Sequence, residues 1–189
     1  MLKNIAIIGG GIAGLAFAVY YRKLGGRADI YERSQISGRE GLGFIMLENG
    51  LEAMSGLGLL TKVSSAGYPL NSCSIVDNHG TSLINETLLG SYGITRKAFV
   101  DVLLANIPKD WLHFDHNFSH FEFDHQGNAQ KAIFENKTAI SADLFLGCDG
   151  GNSSVRKQII PNAIRSKIKV QELVSIVKNP FLVNAMNHK

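Results

Sequence analysis

Between Asn4 and Glu32 the sequence passes through an apolar strand, a glycine turn, a helix and a second strand, and few folds accommodate that succession. Asn4-Ile5-Ala6-Ile7-Ile8 is an apolar, β-branched run that reads as a strand. It enters Gly9-Gly10-Gly11-Ile12-Ala13-Gly14, which matches G-x-G-x-x-G, and an Ala/Leu-rich helix follows directly. Ala28-Asp29-Ile30-Tyr31 reads as a second strand with Glu32 at its tip, 18 residues after Gly14. In that setting Gly9 permits the tight strand-to-helix turn, Gly11 lets backbone approach a phosphate, and Gly14 lets the helix sit close on the sheet. The helix N-terminus adds N–H donors and the positive end of a dipole. Glu32 is placed to accept hydrogen bonds from a ribose and to repel a 2′-phosphate. The segment therefore reads as a βαβ cradle for the pyrophosphate of a dinucleotide. A cluster of glycines serving packing alone leaves Glu32 and the triple glycine unexplained.

The bulk composition narrows the remaining classes. A chain of 189 residues suffices for one good core, or for a domain with part of another. Its 19 basic and 16 acidic residues leave a net charge of +3, too small and too dispersed to argue for nucleic acid or a membrane surface. Basic residues thicken after Arg156, where they read as a solvated face. Asn4 to Tyr21 carries no charge and follows Lys3, so it imitates a signal peptide or a membrane span. Asn4, Gly9, Gly10, Gly11 and Gly14 interrupt its apolar surface, and no A-x-A site follows. The expectation is a soluble, unprocessed, cytoplasmic chain. Cys73 and Cys148 are far apart and match no metal spacing, which fits a reducing compartment, with Cys148 expected in a buried strand.

The rest of the chain mixes helical and extended signals. The first helix is expected from about Ile12 to Leu24, with Gly25-Gly26 as its cap. A polar loop over Ser34 to Glu40 precedes Gly41-Leu42-Gly43-Phe44-Ile45-Met46-Leu47, whose glycines suggest extended backbone against something flat and close. A short helix follows over Glu48 to Leu57. Ser72 to Val76 and Thr81 to Ile84, around the turn Asp77-Asn78-His79-Gly80, read as a β-hairpin. It is taken as an excursion over residues 66–90 into a second, sheet-based region. A helix from Lys97 to about Ile107 has a core-facing stripe, Trp111 to Phe114 a short strand, and Ser119 to Glu135 another hairpin. His113, His116, His120 and His125 bunch in this region, but their spacing matches no zinc pattern, and no metal is expected. An apolar strand then ends in Gly147-Cys148-Asp149-Gly150, and Ser153 is positioned to cap a short helix through Gln158.

Taken in order, Gly9-x-Gly11-x-x-Gly14 with Glu32-Arg33, the Gly41-Leu42-Gly43 strand, Arg96 before a helix, and Gly147-Cys148-Asp149-Gly150-x-x-Ser153-x-Val155-Arg156 resemble a known family. They look like the FAD-dependent aromatic-ring hydroxylases, the single-component flavoprotein monooxygenases of the p-hydroxybenzoate hydroxylase type. The resemblance covers roughly Met1 to Pro161. It implies an α/β fold: a Rossmann-like FAD-binding βαβ domain with a parallel sheet, antiparallel β excursions and an incomplete substrate domain. It implies that Gly9, Gly11 and Gly14 cradle the FAD pyrophosphate, that Glu32 holds the adenosine ribose and that Arg33 lies near the adenine. Gly43 and Ile45 would lie along the flavin or its ribityl chain, and Arg96 would reach the FAD as a charge partner for phosphate. Asp149 would serve both FAD and the nicotinamide cofactor, with Arg39 as a further contact. NADPH or NADH would reduce the FAD, and molecular oxygen would then hydroxylate a small aromatic or similarly electron-rich substrate through a flavin hydroperoxide.

Members of that family are considerably longer and carry a later Gly-Asp motif, and no Gly-Asp pair occurs in this sequence. The expected organisation is an FAD-binding domain over residues 1–161 and a tail over 162–189 that begins a missing C-terminal half. On that reading the chain is a fragment, a truncated product or one half of a split enzyme, inactive alone, the split form being completed by a separate C-terminal chain. Two alternatives stand beside it. One is a non-catalytic FAD-binding module or remnant. The other is an NAD-dependent dehydrogenase, which Glu32 would suit but the Asp149-Gly150 motif and the Arg96 helix would not.

Overall fold

The computed structural model describes residues 4–35, 42–163, 166 and 169. Val170 to Lys178, a stretch whose sequence suits a strand or helix, lies outside the described residues, as does Arg39. The chain begins with β1 (Ile5–Ile8), α1 (Ile12–Lys23) and β2 (Ala28–Tyr31), followed by β3 (Gly43–Met46) and the helices α2 (Glu48–Leu57) and α3 (Leu60–Ala66). A long ribbon of β4 (Tyr68–Val76) and β5 (Ser82–Thr95) leads into α4 (Arg96–Leu104). After it come β6 (Leu112–His113), β7 (Phe118–Phe123), β8 (Ala129–Phe134), β9 (Ala139–Ser141), β10 (Leu144–Gly147) and α5 (Ser154–Ile159).

These strands build one parallel and two antiparallel sheets. The parallel sheet has the order β10-β1-β2-β6, and the others are β3-β5-β4 and β7-β8-β9. The fold is therefore mixed α/β, as the βαβ pattern indicates. Period-two alternation of β1 settles how the layers stack. Ile5 and Ile7 face a core shared with Leu15 and Ala18 of α1 and with Phe99, Val100 and Leu103 of α4. Ala6 and Ile8 face a second core shared with Phe118, Phe121, Ala132 and Phe134 of the β7-β8-β9 sheet. A strand packed on both sides has no polar alternation to keep, so an unbroken apolar run is the right sequence for it.

Helix α1 begins at the glycine turn and closes with Arg22 and Lys23 in its last turn, where cations meet the negative end of the dipole. Gly25 takes the left-handed conformation (φ 78°) just beyond it. At α4 the side chain of Thr95 accepts from the backbone N–H of Ala98 at 3.2 Å. Three local readings change. Trp111 sits in a 3₁₀ turn over Lys109–Trp111 and not in a strand, because Pro108 fixes the entry and its carbonyl accepts from the Trp111 N–H at 3.1 Å. The strand returning from the hairpin runs on to Thr95 and pairs with both β4 and β3, beyond the Ile84 limit that the polar stretch suggested. Cys148 lies one residue past β10 and is half-buried. Helix α3 and strand β9 carry too few residues for a periodic signal to emerge from the sequence.

Candidate functional site

The carboxyl ends of β1, β2 and β10 converge on the glycine turn. The Gly9 N–H donates to the Tyr31 carbonyl at 2.9 Å, and the Cys148 N–H donates to the Ile8 carbonyl at 2.7 Å. Gly9 has φ 109°, and a Cβ there would lie 2.4 Å from the Cys148 carbonyl oxygen and 2.7 Å from the Asp149 nitrogen. The residue thus satisfies a turn and also lets two loops cross in contact. At Gly14 a Cβ would stand 2.2 Å from the Gly9 carbonyl oxygen and 3.0 Å from Ile7 Cγ2, so this glycine sets the closeness of α1 to the sheet. Gly11 differs from both: a Cβ there would meet nothing within 4 Å. Its open side belongs to a cavity of about 580 Å³ that Gly9, Gly11, Glu32, Arg33, Arg96 and Asp149 help to line, a volume suited to a small-molecule ligand. Gly11 is the N-cap of α1 and makes no side-chain cap bond, and no acidic residue occupies the first turn. The first N–H groups of a 12-residue helix therefore face this region without a local carboxylate to compete for them.

Glu32 is 9% exposed and joins two turns. One carboxylate oxygen, Oε2, accepts from the Gly10 N–H at 2.7 Å, and the other, Oε1, accepts from the Ser34 N–H at 3.0 Å. Each oxygen has a second lone pair, so these bonds leave room for ligand hydroxyls. The backbone of Glu32 is held equally firmly, its N–H donating to the His113 carbonyl at 2.9 Å and its carbonyl accepting from the His116 N–H at 3.0 Å.

Asp149 lies on the same cavity, but its carboxylate is engaged at the start of α5. Oδ2 accepts from the Ser154 and Val155 N–H groups at 2.6 and 3.1 Å, and Oδ1 accepts from Ser153 Oγ at 2.5 Å. Ser153 Oγ in turn accepts from the Arg156 N–H at 2.8 Å, the cap expected from the sequence. Burial, and then the neighbouring Asp149 charge, push the Cys148 thiol above its ordinary value, so it stays protonated around neutrality. Arg33 is exposed and Arg96 half-buried. Gly43 joins the lining, and a Cβ there would strike the Ile94 carbonyl oxygen at 2.6 Å. Ile45 is 47% exposed and lies outside the lining, so the structure does not bring it to the other candidates. The lining also includes His116, Asn117, Phe118 and Asn152, which sequence reasoning did not single out for this role. His116 was visible only as one of four bunched histidines. Among the described residues no group of three or more His, Cys, Asp and Glu side chains could hold a metal ion.

Against this geometry the comparisons with known proteins are specific. A family profile described as "FAD binding domain" matches residues 3–185. The chain belongs to this family. As an FAD-binding domain it is similar to the FAD-dependent urate hydroxylase of Mycolicibacterium vanbaalenii, at 27% identity over 166 residues, covering 83% of this chain and 42% of that protein. It is also similar to the kynurenine 3-monooxygenase of Anopheles gambiae, at 29% identity, covering 83% of this chain and 35% of the relative. Among solved structures, the tetrameric form of 2-methyl-3-hydroxypyridine-5-carboxylic acid oxygenase superposes with a TM-score of 0.70 at 25% identity, over 84% of this chain and 42% of that one. Klebsiella pneumoniae HpxO, solved with FAD and uric acid, shares the fold with a TM-score of 0.70 at 22% identity, over 82% and 41%. The chain thus spans about two-fifths of the length of these relatives. The family match is to an FAD-binding domain and not to an NAD-dependent dehydrogenase. No helix among the described residues is long and apolar enough to cross a membrane.

Proposed function

We propose that this chain binds FAD in the cavity at the carboxyl ends of its parallel strands, as the FAD-binding part of an NAD(P)H-dependent monooxygenase acting on a small aromatic or similarly electron-rich substrate. The observation that carries the proposal is the α1 N-terminus. It has no side-chain cap and no acidic first turn, opens through Gly11 onto the cavity, and stands beside a buried glutamate. That combination fits a pyrophosphate followed by a ribose, since anions settle at helix N-termini and an acidic residue at the tip of β2 accepts ribose hydroxyls.

Each residue then has a task. Gly9 and Gly14 set the turn and the helix height, and Gly11 admits the phosphates. Glu32 holds the ribose while keeping the Gly10 and Ser34 N–H groups in place. Arg33 and Arg96 supply positive charge on the cavity wall, Arg96 suiting a charge-assisted bond to phosphate. Asp149 acts through α5, fixing the loop that Gly9 touches, and Gly43, whose missing Cβ lets β3 run close to Ile94, is placed along the flavin or its ribityl chain. Ile45 is kept as a contact along the flavin or its ribityl chain only if bound FAD reaches beyond the cavity lining, and Arg39 as a further candidate contact. FAD, once bound, would supply the redox chemistry with NADPH or NADH and molecular oxygen, and the protein would orient the substrate and exclude water.

The aromatic substrate class is suggested by the relatives' names, urate hydroxylase, kynurenine 3-monooxygenase and 6-methylsalicylate 1-monooxygenase. Residues 1–161 would form the FAD-binding domain, with 66–90 an excursion into a substrate-binding sheet and 162–189 the start of a further part. The rest of the flavin and substrate site would come from that further part, on the same or a complementing chain. Rapid mixing of the FAD-loaded chain with NADPH or NADH without oxygen tests this. Slow or absent bleaching of the flavin is expected for these 189 residues alone. Fast bleaching, with oxygen-dependent hydroxylation, is expected once the chain is extended by its downstream reading frame. Bound FAD that never bleaches in the extended chain would instead establish a non-catalytic flavin-binding module.

A further inference from the structure

We infer that His116 reads the adenine of the bound dinucleotide, its Nε2 accepting a hydrogen bond from the exocyclic 6-amino group. The inference rests on the FAD reading above and deepens it. His116 lines the cavity beside Glu32 and Arg33, and its backbone N–H donates to the Glu32 carbonyl at 3.0 Å. His116 and Glu32 lie on the wall of one cavity, so a base attached to a ribose held by Glu32 comes within reach of the imidazole. The ring is fixed in position and in tautomer. Its Nδ1 lies 2.6 Å from the Phe114 carbonyl oxygen. A carbonyl only accepts, so Nδ1 carries the proton, and in the neutral ring Nε2 is left as an acceptor. No hydrogen bond to Nε2 from another described residue occupies it.

The orientation is over-determined by packing. The His116 ring meets Tyr31 edge-on at 5.3 Å between centroids and Phe134 at 5.1 Å. The preceding residue, Asp115, holds a left-handed backbone (φ 61°), with its carbonyl accepting from Asn136 Nδ2 at 2.9 Å and its carboxylate from Gln35 Nε2 at 3.3 Å. A non-glycine residue kept in that region by surrounding bonds marks a place where the fold enforces one geometry. What is enforced here is the position of an imidazole acceptor at the edge of the dinucleotide cavity. Discrimination of an amino group by such an acceptor is sharp, since a ligand lacking the donor leaves the acceptor unpaired.

The test compares FAD with an analogue in which adenine is replaced by unsubstituted purine, each titrated into the whole chain and followed by flavin fluorescence. The unaltered chain is expected to prefer FAD by about tenfold or more, the usual scale for a lost hydrogen bond in a polar site. His116→Phe keeps an aromatic ring and removes the acceptor, so the two ligands should then bind about equally. His116→Gln, which restores a carbonyl acceptor, should recover part of the preference. Equal binding of both ligands to the unaltered chain would overturn the inference, as would a full preference retained in His116→Phe. Equal binding by the unaltered chain overturns the inference without any variant, and where His116→Phe fails to fold, His116→Ala takes its place with the same expected and overturning results. A chain that takes up neither ligand, while circular dichroism shows it folded, would instead overturn the FAD reading itself and this inference with it.

Discussion

The glycine turn and the β4-β5 ribbon lie in the same chain and are finished to different degrees. At the turn, backbone and side-chain groups are tied across three strands: Gly10 to Glu32, Gly9 to Tyr31, Cys148 to Ile8 and Asp149 to α5. Along the ribbon, Tyr68, Leu83 and Leu89 are 75%, 63% and 76% exposed, and Ile75, Val76 and Ile84 are open as well. So much apolar surface on a two-stranded extension is what a sheet looks like before its cover is added. The contrast matches the length of the relatives, of which this chain spans about two-fifths. On the reading proposed above, one region is a self-contained adenosine cradle and the other a sheet that further residues would cover.

Substitutions can break that contrast, and the largest effect is expected at Gly9. Gly9→Ala puts a methyl group 2.4 Å from the Cys148 carbonyl oxygen in a backbone region hostile to side chains. A loss of about 3 kcal/mol or more is expected in a urea titration. Glu32→Ala comes next. It removes the acceptors of the Gly10 and Ser34 N–H bonds, costing about 1–3 kcal/mol of stability and weakening FAD besides. Glu32→Gln, retaining one acceptor, should recover part of the stability in the same melt. Ser153→Ala removes both the α5 cap and a donor to Asp149, for about 1 kcal/mol by thermal unfolding.

A smaller effect is expected at Asp29. Burial raises its pKa, but hydrogen bonds from Arg27 and His113 outweigh this and hold it below the ordinary carboxylate range. A depressed carboxylate contributes stability above its unfolded pKa of about 4, and that contribution is lost as pH falls through the lower folded value. Asp29→Asn should therefore flatten the acid limb of the stability profile below about pH 4 and leave that limb's neutral-pH slope unchanged. The smallest effect belongs to the ribbon. Leu83→Lys with Leu89→Lys should change stability by no more than about 0.5 kcal/mol, read by urea unfolding, while reducing self-association in sedimentation. A large destabilisation there would mean the ribbon is already packed within this chain, and the contrast would fail.

Much of the cradle is legible in the sequence because local rules govern it. A buried strand, a turn needing φ above zero, a helix cap and an acidic strand tip each constrain residue type over a few positions, as Ile5 to Glu32 show. The Ser153 cap is readable for the same reason. The ribbon resists such reading. β5 contains Gly90 and Gly93 among polar residues, and only its pairing with β3 and β4 makes it one strand to Thr95. Trp111 is apolar and flanked by Leu112, yet Pro108 governs the local geometry. The destination of a side chain is harder still. Nothing in the Asp149-Gly150 pattern says that the carboxylate turns to α5, and nothing in the spacing of four histidines picks out His116. The first follows from a local turn that brings Ser153, Ser154 and Val155 back to Asp149, and the second from packing of His116 against Tyr31 and Phe134 on other strands.

The central claim is that the open face of Gly11 receives the pyrophosphate of FAD. Titrating FAD into the unaltered chain and into Gly11→Ala, with absorbance and circular dichroism recorded together, tests it most directly. A Cβ at this position meets no protein atom within 4 Å. The account therefore predicts an unchanged fold and melting profile for Gly11→Ala, with FAD affinity lowered at least about tenfold against a chain that binds one FAD. Undiminished FAD binding by a folded Gly11→Ala would contradict it.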